Sequence, residues 1–248
     1  MSNKKIIIFV HTCKALYEER AKVIKETWAK DRANIIYVTD DPLCKEDNFI
    51  YLGPYRRGFD PIIITKIFEL YLNKYSDYDW FMLMDDDAYL FVDKLTEYLE
   101  YFDERDSYMI GDCLNWIPYV NELPEIAFQK KLDYNSWFSG GPGIVFSKSG
   151  IENYLRMIYL SEKNNIIDGM KYGYDLWLAY LFYFASDQKG VRRIHCPGFH
   201  QYGDTEIIAK YPRDSKLLIS IHFNKKMDEL KSFHEGNLGS PQTPPKTN

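Results

Sequence analysis

Three consecutive aspartates, Asp85, Asp86 and Asp87, interrupt a run that is otherwise apolar from Trp80 to Val92. The five residues before them, WFMLM, suit a strand buried on both faces. A strand tip with three carboxylates repels itself unless a cation or strong donors neutralise it. Carboxylate oxygens are hard ligands, so such a cluster favours Mn²⁺ or Mg²⁺, ions that also hold phosphates. The carboxyl ends of strands are where open α/β sheets bind ligands. The plain alternative is an acidic, solvated turn.

Around this stretch, strand and helix patterns alternate. Residues 6–10 (IIIFV) and 34–38 (NIIYV) read as buried strands, and 48–52 as a third, closed by Gly53-Pro54. Helical patterns cover 18–28, 62–75, 92–101, 149–160 and 174–184. Residues 107–114 fit a strand and 118–132 a loop over the sheet. A last apolar run, 217–221, ends at His222. Strand, helix, strand, helix in that order predicts right-handed β-α-β crossovers. The expected class is therefore α/β, with a mostly parallel central sheet flanked by helices. Thr12, Asp40 and Asp85, each just past a strand or at its tip, then lie along one sheet edge. Residues 235–248 are nearly free of apolar side chains and read as a disordered tail, leaving one domain over 1–234.

Composition narrows the partners. The 248 residues carry 31 basic against 36 acidic side chains, a net charge of −5, with no long basic run. This argues against nucleic acid, whose binding rests on phosphate neutralisation. The 21 Tyr and 15 Phe exceed what a minimal core needs and suit an extended ligand cleft. Cys13, Cys44, Cys113 and Cys196 have no paired metal-ligand spacing. No apolar stretch is long enough for a membrane span, and no N-x-Ser/Thr sequon occurs. The expectation is a cytoplasmic protein, with the lumen of the secretory pathway as the alternative if an anchor has been removed.

Further signals follow in the second half. In WFSGGPG (137–143), Gly140 and Gly141 either let the backbone approach a ligand or make a tight bend. Trp137 and Phe138 fit either a sugar-stacking platform or the core. Asp175 is an acid in the first turn of a helix, a place where acids also serve the helix dipole. His222 is either a packing residue or a ligand.

Taken in order, these pieces resemble the Fringe and core-1 β1,3-galactosyltransferase family of inverting glycosyltransferases. The likeness spans about residues 6 to 222. It runs through Arg20-Ala21 with Thr27-Trp28, Tyr37-Val38-Thr39-Asp40, the block from Trp80 to Val92, FSGGPGIVFS (138–147), Gly173-Tyr174-Asp175 and Ile221-His222-Phe223. The chain departs from the pattern at Tyr174, where the family has an acid, at Trp177-Leu178-Ala179, which lacks a glycine, and at Pro142, where alanine is usual.

The resemblance implies a single GT-A, Rossmann-like domain that binds a nucleotide sugar. It implies that Asp87 and His222 hold Mn²⁺ (or Mg²⁺), which bridges the phosphates of a UDP-sugar. Asp85 and Asp86 would accept ribose and sugar hydroxyls, Arg20 would contact the donor, and Thr12 and Asp40 would frame uracil and ribose. Gly140 and Gly141 would let the sugar lie against backbone. Asp175 would be the base that deprotonates an acceptor hydroxyl. The implied reaction moves galactose, glucose or GlcNAc onto a glycan or glycosylated protein through a β1,3 link. A catalytically silent nucleotide-sugar or glycan-binding module on the same fold is the alternative. A phosphoryl-transfer enzyme ranks last, because no G-x-x-x-x-G-K-[ST] loop is present.

Overall fold

The computed structural model describes residues 4–54, 61–114, 136–163, 173–184, 190–203, 205–211 and 213–236. The loop expected over 118–132 and the tail beyond residue 236 lie outside these residues. In chain order the first half holds β1 (Ile6–His11), α1 (Lys22–Glu26), β2 (Ile35–Thr39), β3 (Phe49–Tyr51), α2 (Pro61–Lys74), β4 (Trp80–Asp85), β5 (Ala88–Leu90) and α3 (Val92–Leu99). The second half holds β6 (Tyr108–Gly111), β7 (Cys113–Leu114), β8 (Trp137–Phe138), β9 (Ile144–Ser147), α4 (Lys148–Lys163) and α5 (Tyr174–Phe184). It ends with β10 (Arg192–His195), β11 (Phe199–His200), α6 (Thr205–Lys210), β12 (Ser220–His222) and α7 (Met227–His234).

Seven strands form the central sheet in the order β10-β6-β9-β4-β1-β2-β3. Strand β1 pairs in parallel with β2 and β4, β2 with β3, and β10 with β6. Only β9 runs the other way, antiparallel to both β4 and β6. That reversal has a consequence for the site. Strand β9 starts at the edge where β4 ends, so the glycine loop before it sits beside the aspartates.

Alternation along each central strand feeds two cores. Ile6, Ile8, Val10, Ile35, Tyr37, Trp80, Met82 and Met84 point to one face; Ile7, Phe9, Ile36, Val38, Phe81 and Leu83 point to the other. The second face is covered by α2, α4 and α5, through residues such as Phe68, Tyr154 and Trp177. The first is covered by α1, α3, α7 and a small sheet, β11-β12-β5. Phe138 is buried in the core beneath Arg193, whose guanidinium lies 4.8 Å from its ring centroid. The core reading of that ring therefore holds.

The first expected helix, 18–28, is more broken than its periodicity implied. A π-helical turn over Tyr17–Ala21 precedes α1, which stops before Thr27. Thr27 Oγ1 bonds back to the Val23 carbonyl at 2.7 Å. Trp28 then turns inward, and its Nε1 donates to the Ala88 carbonyl at 2.9 Å, directly behind the aspartate cluster. Trp28→Phe leaves that buried carbonyl unpaired. A loss of about 1–3 kcal/mol in unfolding free energy is expected by denaturant titration.

Candidate active site

Register in the small sheet delivers His222 to the aspartates. Strand β12 runs antiparallel to β5 with His222 opposite Ala88. One step further, Phe223 N–H donates to the Asp87 carbonyl at 2.8 Å. His222 Nε2 thereby lies 3.0 Å from Asp87 Oδ1, although 135 residues separate them in sequence. The chain next turns through Asn224 (φ 47°) and Lys225 (φ 73°), two non-glycine residues in the left-handed region. This turn aims Lys225 N–H at Asp87 Oδ2, 3.0 Å away.

Asp86 faces elsewhere. It is fully buried; its Oδ2 accepts the Thr12 hydroxyl at 2.6 Å and its Oδ1 accepts Arg20 Nη1 at 3.2 Å. The same nitrogen reaches Asp87 Oδ2 at 2.9 Å. Arg20 sits on the π-helical turn, a local irregularity often found at functional sites, and is itself buried. Two carboxylates and one guanidinium out of water need one another; removing any one strands the others' charge. Asp86 thus accepts from both Thr12 and Arg20; the family resemblance had implied ribose or sugar hydroxyls as its partners. Asp40, at the exit of β2, accepts the Lys14 N–H at 2.7 Å and so fixes the turn that follows β1.

Asp175 stands on the other side of β4. Its Oδ2 accepts Gly140 N–H at 3.1 Å and its Oδ1 accepts Leu176 N–H at 2.8 Å. Burial pushes its pKa up to about 6, helped by the nearby Asp85 charge and opposed by those two N–H donors. Tyr174, in the place of the family's acid, donates its hydroxyl to the Gly140 carbonyl at 3.1 Å and reaches Asp85 Oδ1 at 3.5 Å. The start of α5 therefore grips Gly140 at both its N–H and its C=O.

The two glycines serve a purpose the sequence did not reveal. A Cβ at Gly140 would fall 2.4 Å from the Tyr174 hydroxyl, and one at Gly141 would fall 2.5 Å from His222 Nδ1. They make room for site side chains packed against the backbone.

The chemistry of this donor set fits a divalent cation. Ligand atoms of Asp85, Asp87 and His222 all lie within 4.8 Å of one another. His222 Nδ1 is 3.1 Å from the Gln201 carbonyl, which can only accept, so Nδ1 carries a hydrogen. In a neutral ring Nε2 then presents a lone pair to a carboxylate oxygen, and two acceptors at 3.0 Å need a proton or a metal ion between them. Burial disfavours a charged imidazole here, but the Asp87 hydrogen bond and charge outweigh it and raise the pKa. Asp85, expected to bind sugar hydroxyls, joins this group. Gln201 and Lys225 went unnoticed in the sequence because they contribute backbone atoms; Tyr174 was marked only as a departure from the family's acid, with no role attached.

A mostly parallel sheet with an acidic strand tip, a histidine brought beside it and a carboxylate across the tip defines a domain of the GT-A type. The same fold is found in the glycosyltransferase involved in glycosylation of the major capsid of PBCV-1, at a TM-score of 0.50 and 14% identity over 93% of this chain and 99% of that one. The model of the Fringe-like family matches residues 1–242, and the chain belongs to that family. The chain is also similar to the β-1,3-glucosyltransferases of Mus musculus (23% identical over 238 residues, 94% of this chain) and Homo sapiens (23% over 240 residues, 94% of this chain). It spans 43% and 42% of the length of those two relatives.

Proposed function

We propose that this domain is an inverting, metal-dependent glycosyltransferase that moves a hexose from a UDP-sugar to a hydroxyl of a glycan or glycosylated protein. The observation that carries this reading is the group Asp85, Asp87 and His222, whose ligand atoms converge within 4.8 Å of one another, with Asp175 poised across the strand tip. A divalent ion held there supplies Lewis-acid charge to the departing diphosphate. Thr12 and Asp40, past the ends of β1 and β2, border the nucleotide. Arg20 pairs with both Asp86 and Asp87 and lends positive charge near the phosphates. Asp175, with a pKa close to working pH, takes the acceptor's proton as its oxygen attacks C1 opposite the leaving group. The names of the mouse and human relatives support glucose as the first sugar to test and a β1,3 link as its product. The four cysteines, all free, support a reducing compartment such as the cytoplasm.

The test is hydrolysis of a panel of UDP-hexoses with Mn²⁺ and no acceptor. At least one is expected to release UDP in a metal-dependent way. No turnover on any of them would leave the silent binding module as the better reading, and turnover indifferent to metal would overturn the metal-dependent mechanism.

A sharper prediction concerns Gly141. A methyl group there displaces the His222 ring, so Gly141→Ala is expected to weaken Mn²⁺ binding by about tenfold or more, as for a disturbed metal-ligand partner. Calorimetric titration with Mn²⁺ checks it, and circular dichroism should show the fold retained.

A further inference from the structure

On the far side of Asp175 lies a second pair of polar groups that the reaction above does not use. Asp112 follows β6 directly and is 9% exposed. Its Oδ2 accepts the Gln201 N–H at 3.0 Å, while its Oδ1 looks toward His195 Nδ1 at 3.8 Å, beyond hydrogen-bond reach. His195 ends β10, paired with Gly111, and about half of its side chain is exposed. The Cys113 N–H donates to His195 Nδ1 at 3.1 Å. This makes Nδ1 an acceptor and leaves Nε2 as the nitrogen that carries hydrogen in the neutral ring. The pair thus offers one carboxylate oxygen and one imidazole N–H side by side.

Its position follows from the strand order. Thr12 and Asp40 lie one and two strands from β4 on one side, and Asp112 lies two strands away on the other, across β9. At about 4.8 Å per strand, Asp112 is about 10 Å along the edge from Asp85. Backbone links tie it to the reacting groups. Ser139 N–H donates to the Asp112 carbonyl, and the next residue, Gly140, donates to Asp175. In-line displacement requires the attacking hydroxyl to arrive from the side opposite the leaving group, and this pair stands on the side of β4 away from Thr12 and Asp40.

We infer that Asp112 and His195 form the acceptor subsite, gripping two neighbouring hydroxyls of a pyranoside while Asp175 takes the proton from a third. A carboxylate and an imidazole N–H supply complementary acceptor and donor, the combination that vicinal sugar hydroxyls satisfy. The inference rests on the glycosyltransferase reading and adds the surface that selects the acceptor.

The test uses the whole chain with UDP and Mg²⁺, probed by saturation-transfer NMR against methyl glycosides of glucose, galactose, fucose, xylose and GlcNAc. At least one glycoside is expected to bind the UDP-loaded protein. Its affinity should fall by about tenfold or more in both Asp112→Asn and His195→Ala, since the first exchanges a charged acceptor for a neutral amide and the second removes the imidazole N–H, while UDP affinity stays unchanged. His195 is exposed, so His195→Ala remains informative if Asp112→Asn fails to fold. If UDP binds but no glycoside does, or if the variants bind glycosides as well as the parent, this inference falls and the donor reading stands. If UDP itself does not bind, both fall.

Discussion

Asp87→Ala is expected to abolish metal-dependent binding of UDP-sugar and, with it, turnover. Loss of an outer partner of a metal ligand costs about 10–100-fold in metal affinity, and losing a ligand itself should exceed that. Asp87 serves four neighbours at once: His222 Nε2 at 3.0 Å, Arg20 Nη1 at 2.9 Å, and the N–H groups of Lys225 at 3.0 Å and, through its carbonyl, Phe223 at 2.8 Å. The alanine variant keeps only the last of these, so some loss of stability accompanies it. Asp87→Asn separates the two effects. It keeps the shape and much of the hydrogen bonding but removes the charge a cation needs. The fold should survive by circular dichroism, while Mn²⁺ titration should show no site. Normal Mn²⁺ affinity in Asp87→Asn would mean that the ion, if one is used, sits elsewhere.

The second large effect is expected at Asp175. Asp175→Asn should leave UDP affinity intact and lower turnover by about 10²–10⁴-fold, the range a general base supplies. The pH profile carries the sign of the argument. A base works only when ionised, and burial has raised this carboxyl's pKa to about 6. Activity of the parent should therefore fall as pH drops through about 6 and level off above it. The residual activity of the asparagine variant should lack that limb. A profile unchanged by the substitution would assign the base to another group.

How much of this was legible depended on length and on uniform patterning. Strands β1, β2 and β4 were readable because each is a solid apolar run that must be buried on both faces. Helices α2, α4 and α5 were readable because they are long enough to repeat. The reversed direction of β9 left no trace, since alternation has no polarity. Strands of two or three residues, such as β5, β11 and β12, are too short to establish a period. Yet β12 delivers His222, and only the order of motifs along the chain pointed to that residue. The aspartate triplet announced a site but not its division of labour: Asp86 turns to Thr12 and Arg20, while Asp85 and Asp87 turn to His222. Contacts made through backbone atoms, such as the Gln201 carbonyl on His222, carry no side-chain signature at all.

The most direct test of the central claim is anomalous diffraction from a crystal grown with Mn²⁺ and UDP. The account predicts one strong manganese peak within bonding distance of Asp87 and His222 Nε2, in contact with the diphosphate, with the uracil toward Thr12 and Asp40. Bound UDP with no manganese at that position, or manganese bound away from both side chains, would contradict it.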